Sequence, residues 1–194
     1  MDISRKGIAG KRIAIFIAKG FEDAELTKPV EALRRAGAEV TLIGLTETDK
    51  RGVVGKHGTM VKADVTIDDV RPEDFDALVI PGGKAPSHLR QNERILDFTR
   101  RIDAEHKPLA AICHGPQVLA SADLLKDRSA TSFFTVAPEV RRAGAHFSNK
   151  PVIIDGNLIT SRMPRDIPAF IEAIFEAIEG GAGKPRAEPG RRIA

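Results

Sequence analysis

The chain has 194 residues, a formal net charge of +3 at pH 7 and a hydrophobic content of 42%, values that suit one globular α/β domain. Its single cysteine excludes an internal disulfide framework, which agrees with a reducing compartment. The sequence contains no apolar run long enough to span a membrane and no signal-peptide core after Met1, so it predicts a cytoplasmic protein without a membrane partner.

The basic excess is confined to the C-terminal end of the chain. Residues 184–194 carry four basic residues against one acidic residue, which accounts for the whole net charge. Nucleic-acid binding typically uses a clustered basic face with interleaved aromatic residues, and this sequence has no such cluster and neither Trp nor Tyr. We therefore predict one domain over 1–179 with its core at 11–179, a disordered basic tail over 180–194, and no preference for nucleic acid.

In chain order, the first half alternates apolar runs with amphipathic segments. Residues 12–18 are almost wholly apolar, as in a central parallel strand. Residues 22–36 carry apolar side chains at helical spacing and precede Gly37, a residue type that commonly ends helices. The further predictions in this half are a strand at 39–45, a hairpin or pair of short strands within 52–67, a strand at 77–80 and a helix at 93–103.

The second half continues the alternation. Its predicted elements are a strand at 109–112, a helix at 115–122, a short strand containing Thr131, a helix at 136–142, a hairpin of 152–154 with 158–160, and a helix at 167–178. The repeated strand–helix order predicts an α/β fold with a doubly wound, mostly parallel central sheet and helices on both faces.

The only cysteine, Cys113, lies where a buried strand is predicted to end and a helix to begin. Gly115 permits a tight turn there, and Pro116 suits the first turn of a helix. A side chain at such a corner meets the unpaired N–H groups of the new helix, whose dipoles favour an anion. We therefore predict that Cys113 is a reactive thiol with a lowered pKa. The alternative is a buried structural cysteine.

Polar groups follow three of the predicted strands. Ligands of doubly wound sheets bind beyond the carboxyl ends of the strands, where segments 20–25, 81–83 and 113–114 are expected to converge. Because a charged Glu25 would repel a thiolate, we expect Glu25 to hold a proton and to donate a hydrogen bond to the sulfur. The alternatives are a solvated helix face for Glu25 and complementarity to the helix dipole for Glu22.

Gly83 and His114 are candidates for an oxyanion hole. Gly83 has no side chain, so its N–H can approach a ligand closely and act together with the N–H of His114; the alternative is a strand-terminating turn. The ring of His114 is also a candidate proton shuttle. Because neighbouring side chains at a sharp turn usually diverge, we expect this ring to act on the substrate without touching the sulfur of Cys113.

The other histidines do not predict a metal site. His57, His106 and His146 lack metal-ligand spacing to each other or to the cysteine. The chain also has neither a Walker A loop nor a Gly-x-Gly-x-x-Gly motif. We therefore predict no metal and no cofactor.

Several segments together resemble the PfpI/ThiJ superfamily, a relative of class I glutamine amidotransferase domains. They are Ala18-Lys19-Gly20-Phe21-Glu22-Asp23-Ala24-Glu25-Leu26, Gly55-Lys56-His57-Gly58, Pro81-Gly82-Gly83, Ala111-Ile112-Cys113-His114-Gly115-Pro116-Gln117 and, for the PfpI branch, Thr160-Ser161-Arg162-Met163-Pro164 with Asp166-Ile167-Pro168-Ala169-Phe170. The resemblance covers about 11–179 and implies a flavodoxin-like sandwich that forms a homodimer or an assembly of dimers. It also implies that Cys113 is the nucleophile, Glu25 its protonated partner, and Gly83 and His114 the oxyanion donors.

The same resemblance implies cysteine chemistry on a carbonyl group. Members are described as intracellular cysteine peptidases, as glyoxalase III-like enzymes and as deglycases of methylglyoxal- or glyoxal-modified groups, and these activities share thiolate attack on an electrophilic carbon. We expect a stress-protective hydrolase or lyase of a small reactive carbonyl or glycated substrate. The alternatives are a PfpI-type peptidase and a redox-sensing or chaperone-like dimer without turnover.

One position departs from the family's pattern. The peptidase activity needs an acid near the loop at 81–86, often supplied across a subunit contact, and the matching residue here is Ser87. A serine orients an imidazole only weakly and cannot stabilise an imidazolium as a carboxylate does. Ser87 therefore counts against a peptidase and affects small-carbonyl chemistry less.

Overall fold

The strands of the computed structural model, which describes residues 7–181, form one large sheet and two small ones. The strands are β1 (Arg12–Phe16), β2 (Glu39–Gly44), β3 (Val53–Val54), β4 (Met60–Val61), β5 (Val65–Thr66), β6 (Ala77–Ile80), β7 (Leu109–Ile112), β8 (Ser129–Ala130), β9 (His146–Phe147), β10 (Val152–Asp155) and β11 (Leu158–Ser161). The helices are α1 (Asp23–Arg35), α2 (Ala85–Leu89), α3 (Glu93–Ala104), α4 (Pro116–Ser121), α5 (Ala137–Arg142) and α6 (Ile167–Glu179).

The large sheet places its described strands in the order β10-β11-β7-β6-β1-β2-β5. Neighbouring strands are parallel, except in the β10–β11 hairpin. Strands β6 and β7 are buried over their whole length, which is why their sequences are continuously apolar rather than alternating. The prediction of an α/β fold with a mostly parallel central sheet is confirmed.

The helices form two groups, one for each face of the sheet. Helix α1 contacts α6, whereas α4 contacts α2, α3 and α5. Helix α3 shows how the local sequence starts a helix. At its N-terminus the side chain of Asn92 accepts hydrogen bonds from the N–H groups of Arg94 and Ile95. Ile95, Phe98 and Ile102 then lie buried on one face of this helix. Together the layers make the flavodoxin-like sandwich that the resemblance implies.

The segment predicted as a hairpin or pair of short strands divides between two sheets. Strands β3 and β4 form the antiparallel hairpin, with Val53 opposite Val61. Strand β5 instead joins the edge of the large sheet, where Val65 pairs in parallel with Ile43 of β2. The prediction is therefore confirmed for the hairpin and incomplete for the strand that follows it.

Two short elements differ from the sequence pattern. The predicted short strand is found as β8, but it ends one residue before Thr131, whose N–H donates to Thr160 Oγ1 at 2.9 Å. The pattern also does not predict α2, since a helix of five residues is too short to show an amphipathic period.

The C-terminal part of the chain is described only as far as residue 181. Helix α6 ends at Glu179, and Gly180 follows as its C-cap. Of the basic tail predicted for 180–194, residues 182–194 lie outside the described residues. Within 7–181, none of the helices combines the length and the hydropathy that a membrane crossing requires.

Candidate active site

Cys113 stands at a sharp turn between β7 and α4. Its φ is +63°, in the left-handed region that residues other than glycine rarely occupy. Its N–H donates to the Ser161 carbonyl and its carbonyl accepts from the Phe133 N–H, each at 3.0 Å. Gly115 lets the turn close, because a Cβ there would lie 2.6 Å from the Ile80 carbonyl oxygen. The surrounding backbone thus imposes the elbow and places the side chain beyond the carboxyl end of β7.

Glu25 of α1 reaches the same point. It is 0% exposed, and the Gly82 N–H donates to its Oε2 at 2.9 Å. A Cβ at position 82 would lie 2.5 Å from Glu25 Oε2 and 2.6 Å from Cys113 Cβ, so only glycine there lets the two side chains approach. The other carboxyl oxygen, Oε1, has no hydrogen-bond partner within the described residues, and the side chain of Glu25 lies next to that of Cys113.

The surroundings of Glu25 favour the protonated form of its carboxyl. Burial raises the pKa of Glu25 to about 8; the hydrogen bond from the Gly82 N–H opposes this shift, and the negative charge of Glu22 adds to it. The structure therefore supports the expectation that a neutral carboxyl lies beside the sulfur. A neutral Glu25 can donate its proton in a hydrogen bond to a thiolate.

The thiol does not have the lowered pKa that the sequence predicts. Burial raises the pKa of Cys113 to about 12, and the charge of an ionised Glu25 adds to this shift. Hydrogen bonds from the N–H groups of Gly83 and His114 act in the opposite direction and are outweighed. Burial therefore favours the thiol over the thiolate, and a base that takes the thiol proton would favour attack by the sulfur.

The imidazole of His114 is placed to take that proton. Its Nδ1 lies 3.2 Å from Cys113 Sγ, so the expectation that this ring diverges from the sulfur is wrong. The ring keeps this direction because it stacks on Phe133, with centroids 5.3 Å apart, and because its Nε2 lies 3.4 Å from Thr135 Oγ1. Burial, followed by the charge of Lys56, lowers the pKa of His114, so the ring is neutral at neutral pH and can accept a proton.

The N–H groups of Gly83 and His114 lie near the Cys113 side chain, where they oppose the rise in the pKa of its thiol. Gly83 is held there by an antiparallel bridge to Phe21, with φ at +75°. A Cβ on Gly83 would lie 2.4 Å from the Gly20 carbonyl oxygen, so no other residue type fits this backbone without a shift. The two donors that the sequence analysis assigns to an oxyanion hole therefore lie together.

We expect Gly83→Ala to lower the free energy of unfolding by about 1–3 kcal/mol and to slow the alkylation of Cys113. The added methyl group would collide with backbone atoms of Gly20 and Glu22. Thermal unfolding and the rate of iodoacetamide alkylation measure the two effects. Gly10→Ala is the matched control, since Gly10 has the same φ of +75° but open space around the Cβ position. Equal losses in both variants would contradict the role of crowding at Gly83.

The two secondary candidates lie in different surroundings. The carboxylate of Glu22 accepts from Lys56 Nζ and contacts His57 Nε2, each at 3.1 Å, so it ties the turn between β3 and β4 to the start of α1. Lys56 also brings a positive charge near the site. The hydroxyl of Ser87 donates to the Lys84 carbonyl at 2.7 Å, and is thereby engaged within its own helix.

Sequence reasoning missed Phe133 and Thr135, which hold the ring of His114. Both follow β8 in a loop that carries no glycine-rich or catalytic motif. The only signal is a pair of aromatic residues followed by a hydroxyl residue, a pattern too common to single out. Their role depends on contacts with the ring of His114, which is distant from them in sequence.

A metal-binding arrangement is not found in the part of the chain that the structure describes. Within 7–181, no group of three His, Cys, Asp or Glu side chains is placed to hold a metal ion. Of the remaining histidines, His57 contacts Glu22, and His146 begins β9.

The chain matches the DJ-1/PfpI family over residues 11–177. It is 40% identical over 168 residues to Deglycase PfpI of Pyrococcus furiosus, a match that covers 87% of this chain and 99% of that protein. It is 42% identical over 168 residues to another protein named a deglycase, from Thermococcus kodakarensis, covering 86% of this chain and 99% of that one. These names support a deglycase-like function within the family.

A solved structure shows the same fold. A two-domain protein of Anabaena variabilis, with DJ-1/ThiJ/PfpI-like and ferritin-like domains, superposes with a TM-score of 0.84 at 38% identity over 93% of this chain. The chain spans 52% of that protein's length. The similarity confirms the flavodoxin-like sandwich.

Proposed function

The chain belongs to the DJ-1/PfpI family, and on that premise we propose that it is a cysteine-dependent hydrolase or lyase of reactive carbonyl compounds or glycation adducts. The observation that carries the proposal is the set of groups around the Cys113 sulfur: a neutral imidazole, a neutral carboxyl and two backbone N–H groups. These groups can act as a base, a proton donor and oxyanion donors. Removal of reactive carbonyls would give the protein its stress-protective role.

The proposed first step is attack of the Cys113 sulfur on an aldehyde or ketone carbon of the substrate. His114 Nδ1 takes the thiol proton across the 3.2 Å contact, and the electron pair left on sulfur forms the S–C bond. The π pair of the carbonyl moves to its oxygen, where the N–H groups of Gly83 and His114 can stabilise the negative charge. The imidazolium of His114 can then give its proton to this oxygen, which leaves a neutral hemithioacetal on Cys113 and a neutral ring.

A protonated Glu25 carries no negative charge, so it does not repel the negative charge that forms on the sulfur. Its carboxyl lies next to the Cys113 side chain, and its unpartnered Oε1 can donate a proton in a hydrogen bond to the thiolate as it forms. A hydrogen bond to a charged group contributes about 1.5–3 kcal/mol. Glu25 thus favours formation of the nucleophile without acting as the base.

A carbonyl substrate fits this site better than a peptide does. Amide hydrolysis has to protonate a poor leaving amine, so it depends on a well-oriented general acid. The partners around His114 are a threonine hydroxyl and an aromatic ring, and the hydroxyl of Ser87 is engaged with Lys84. Attack on an activated aldehyde needs chiefly a nucleophile and an oxyanion hole.

The test is steady-state turnover of methylglyoxal, of its adducts with a free thiol and a free amine, and of an unmodified peptide. We expect the carbonyl compound or its adducts to be consumed by the wild-type protein and not by Cys113→Ala. Cleavage of the peptide alone would favour the PfpI-type peptidase. Absence of all turnover, with ready oxidation of Cys113 by dilute peroxide, would favour the redox-sensing dimer.

We expect Ser87→Glu to raise any peptidase activity, by about 10²-fold at most, and to leave methylglyoxal turnover unchanged. The new carboxylate would supply the acid that the family's peptidase activity requires. Both rates are measured on the same preparation, with Ser87→Ala as the neutral control. Robust peptide cleavage by the wild-type protein that Ser87→Ala does not affect would overturn the preference for carbonyl substrates.

A further inference from the structure

The ring nitrogen of His114 that lies away from the sulfur also has a partner. Thr135 Oγ1 lies 3.4 Å from Nε2, while Cys113 Sγ lies 3.2 Å from Nδ1. The ring therefore bridges the hydroxyl of Thr135 and the thiol of Cys113. Each of the two contacts constrains the other, because the planar ring carries both nitrogens.

The position of the ring proton decides whether His114 can act as a base. A neutral imidazole carries one proton, and only the nitrogen without it can accept another. Which nitrogen is protonated is set by the hydrogen bond that the other one makes. For Nδ1 to take the thiol proton, the ring proton has to be on Nε2, and a partner that accepts from Nε2–H favours this tautomer.

The backbone holds Thr135 in place for this contact. The Phe133 N–H donates to the Cys113 carbonyl at 3.0 Å, and the Val136 N–H donates to the Phe133 carbonyl at 3.0 Å. The turn that contains Thr135 is thus attached to the elbow itself. Stacking of Phe133 on the ring of His114 fixes the ring's plane beside the hydroxyl.

We propose that Thr135 is the positioning residue of His114: its hydroxyl accepts the Nε2–H and leaves Nδ1 free to take the thiol proton of Cys113. When the S–H bond breaks, its electron pair stays on sulfur, the Nδ1–H bond forms, and the imidazolium continues to donate Nε2–H to Thr135. A hydroxyl carries no charge, so it orients the ring without stabilising the imidazolium as a carboxylate would. The inference rests on the proposed function for its role in turnover.

The test compares Thr135→Val, which keeps the branched shape without the hydroxyl, with Thr135→Ser, which keeps the hydroxyl. The ¹⁵N NMR shifts of the His114 ring report which nitrogen is protonated, and the rate of iodoacetamide alkylation reports the reactivity of Cys113. We expect the proton on Nε2 in the wild-type protein and in Thr135→Ser. In Thr135→Val we expect a mixture of tautomers and alkylation about threefold to tenfold slower.

Thr48→Val is the matched control, because Thr48 is another exposed threonine whose hydroxyl accepts a hydrogen bond of 3.4 Å, from Arg51. An unchanged tautomer and alkylation rate in Thr135→Val would overturn the inference, as would equal losses in Thr135→Ser. Neither readout uses a substrate. A wild-type protein without carbonyl turnover would therefore contradict the proposed function, while these two measurements would still decide the role of Thr135.

Discussion

Cys113→Ala is expected to lower the turnover of carbonyl substrates by about 10³-fold or more, because it removes the atom that forms the covalent bond. The fold is expected to tolerate the change. Cys113 is 6% exposed, and the substitution removes one buried atom without adding volume, which costs about 1 kcal/mol. Cys113→Ala is therefore expected to lose activity but to keep most of its stability. Steady-state turnover measures the first effect and thermal unfolding the second.

Cys113→Ser provides a second comparison at the same position. It keeps a polar atom at the elbow, but its hydroxyl is a much weaker acid than a thiol, and His114 cannot activate it to a comparable degree. We expect turnover by Cys113→Ser to fall nearly as far as that by Cys113→Ala. If both variants kept more than about a tenth of the wild-type rate, covalent attack by Cys113 would not be the main route.

Glu25→Gln is expected to remove a large pH dependence of stability. The carboxyl of an ordinary glutamate has a pKa of 4.5, and burial raises that of folded Glu25 to about 8. Between these values the folded state keeps a proton that the unfolded state has released, so this contribution to stability is largest at low pH and falls as the pH rises to about 8. The fall is on the order of 5 kcal/mol. Glutamine stays neutral throughout and does not show it.

The measurement is denaturant unfolding of the wild-type protein and Glu25→Gln between about pH 5 and pH 9. We expect Glu25→Gln to gain stability relative to the wild-type protein as the pH rises; a constant difference between the two would show that the pKa of Glu25 is not raised. Above about pH 8 the ionised Glu25 also opposes a thiolate, so alkylation of Cys113 is expected to rise less steeply in the wild-type protein. Glu25→Asp withdraws the carboxyl from the sulfur and is expected to lose the reactivity that Glu25→Gln keeps.

Local sequence was sufficient to predict the elbow at Cys113. An apolar run ends at Cys113 and Gly115 follows, so strand, turn and helix can be read from adjacent residues. The convergence of Glu25 and Gly83 on the same point follows from topology, because parallel strands bring their carboxyl ends to one edge of the sheet. Both the elbow and the order of strands and helices can therefore be predicted from regular patterns in the sequence.

The tertiary structure alone decided the direction of the pKa shift of Cys113 and the partners of His114. A helix N-terminus lowers the pKa of a thiol, yet burial and the approach of Glu25 reverse the direction at Cys113. Thr135 reaches the ring from 21 residues further along the chain, while the hydroxyl of Ser87 turns to its own helix. A pKa and a hydrogen bond depend on groups that are close in space, whatever their separation in sequence. The pattern of neighbours along the chain therefore identifies the candidate nucleophile but not the groups that control its proton.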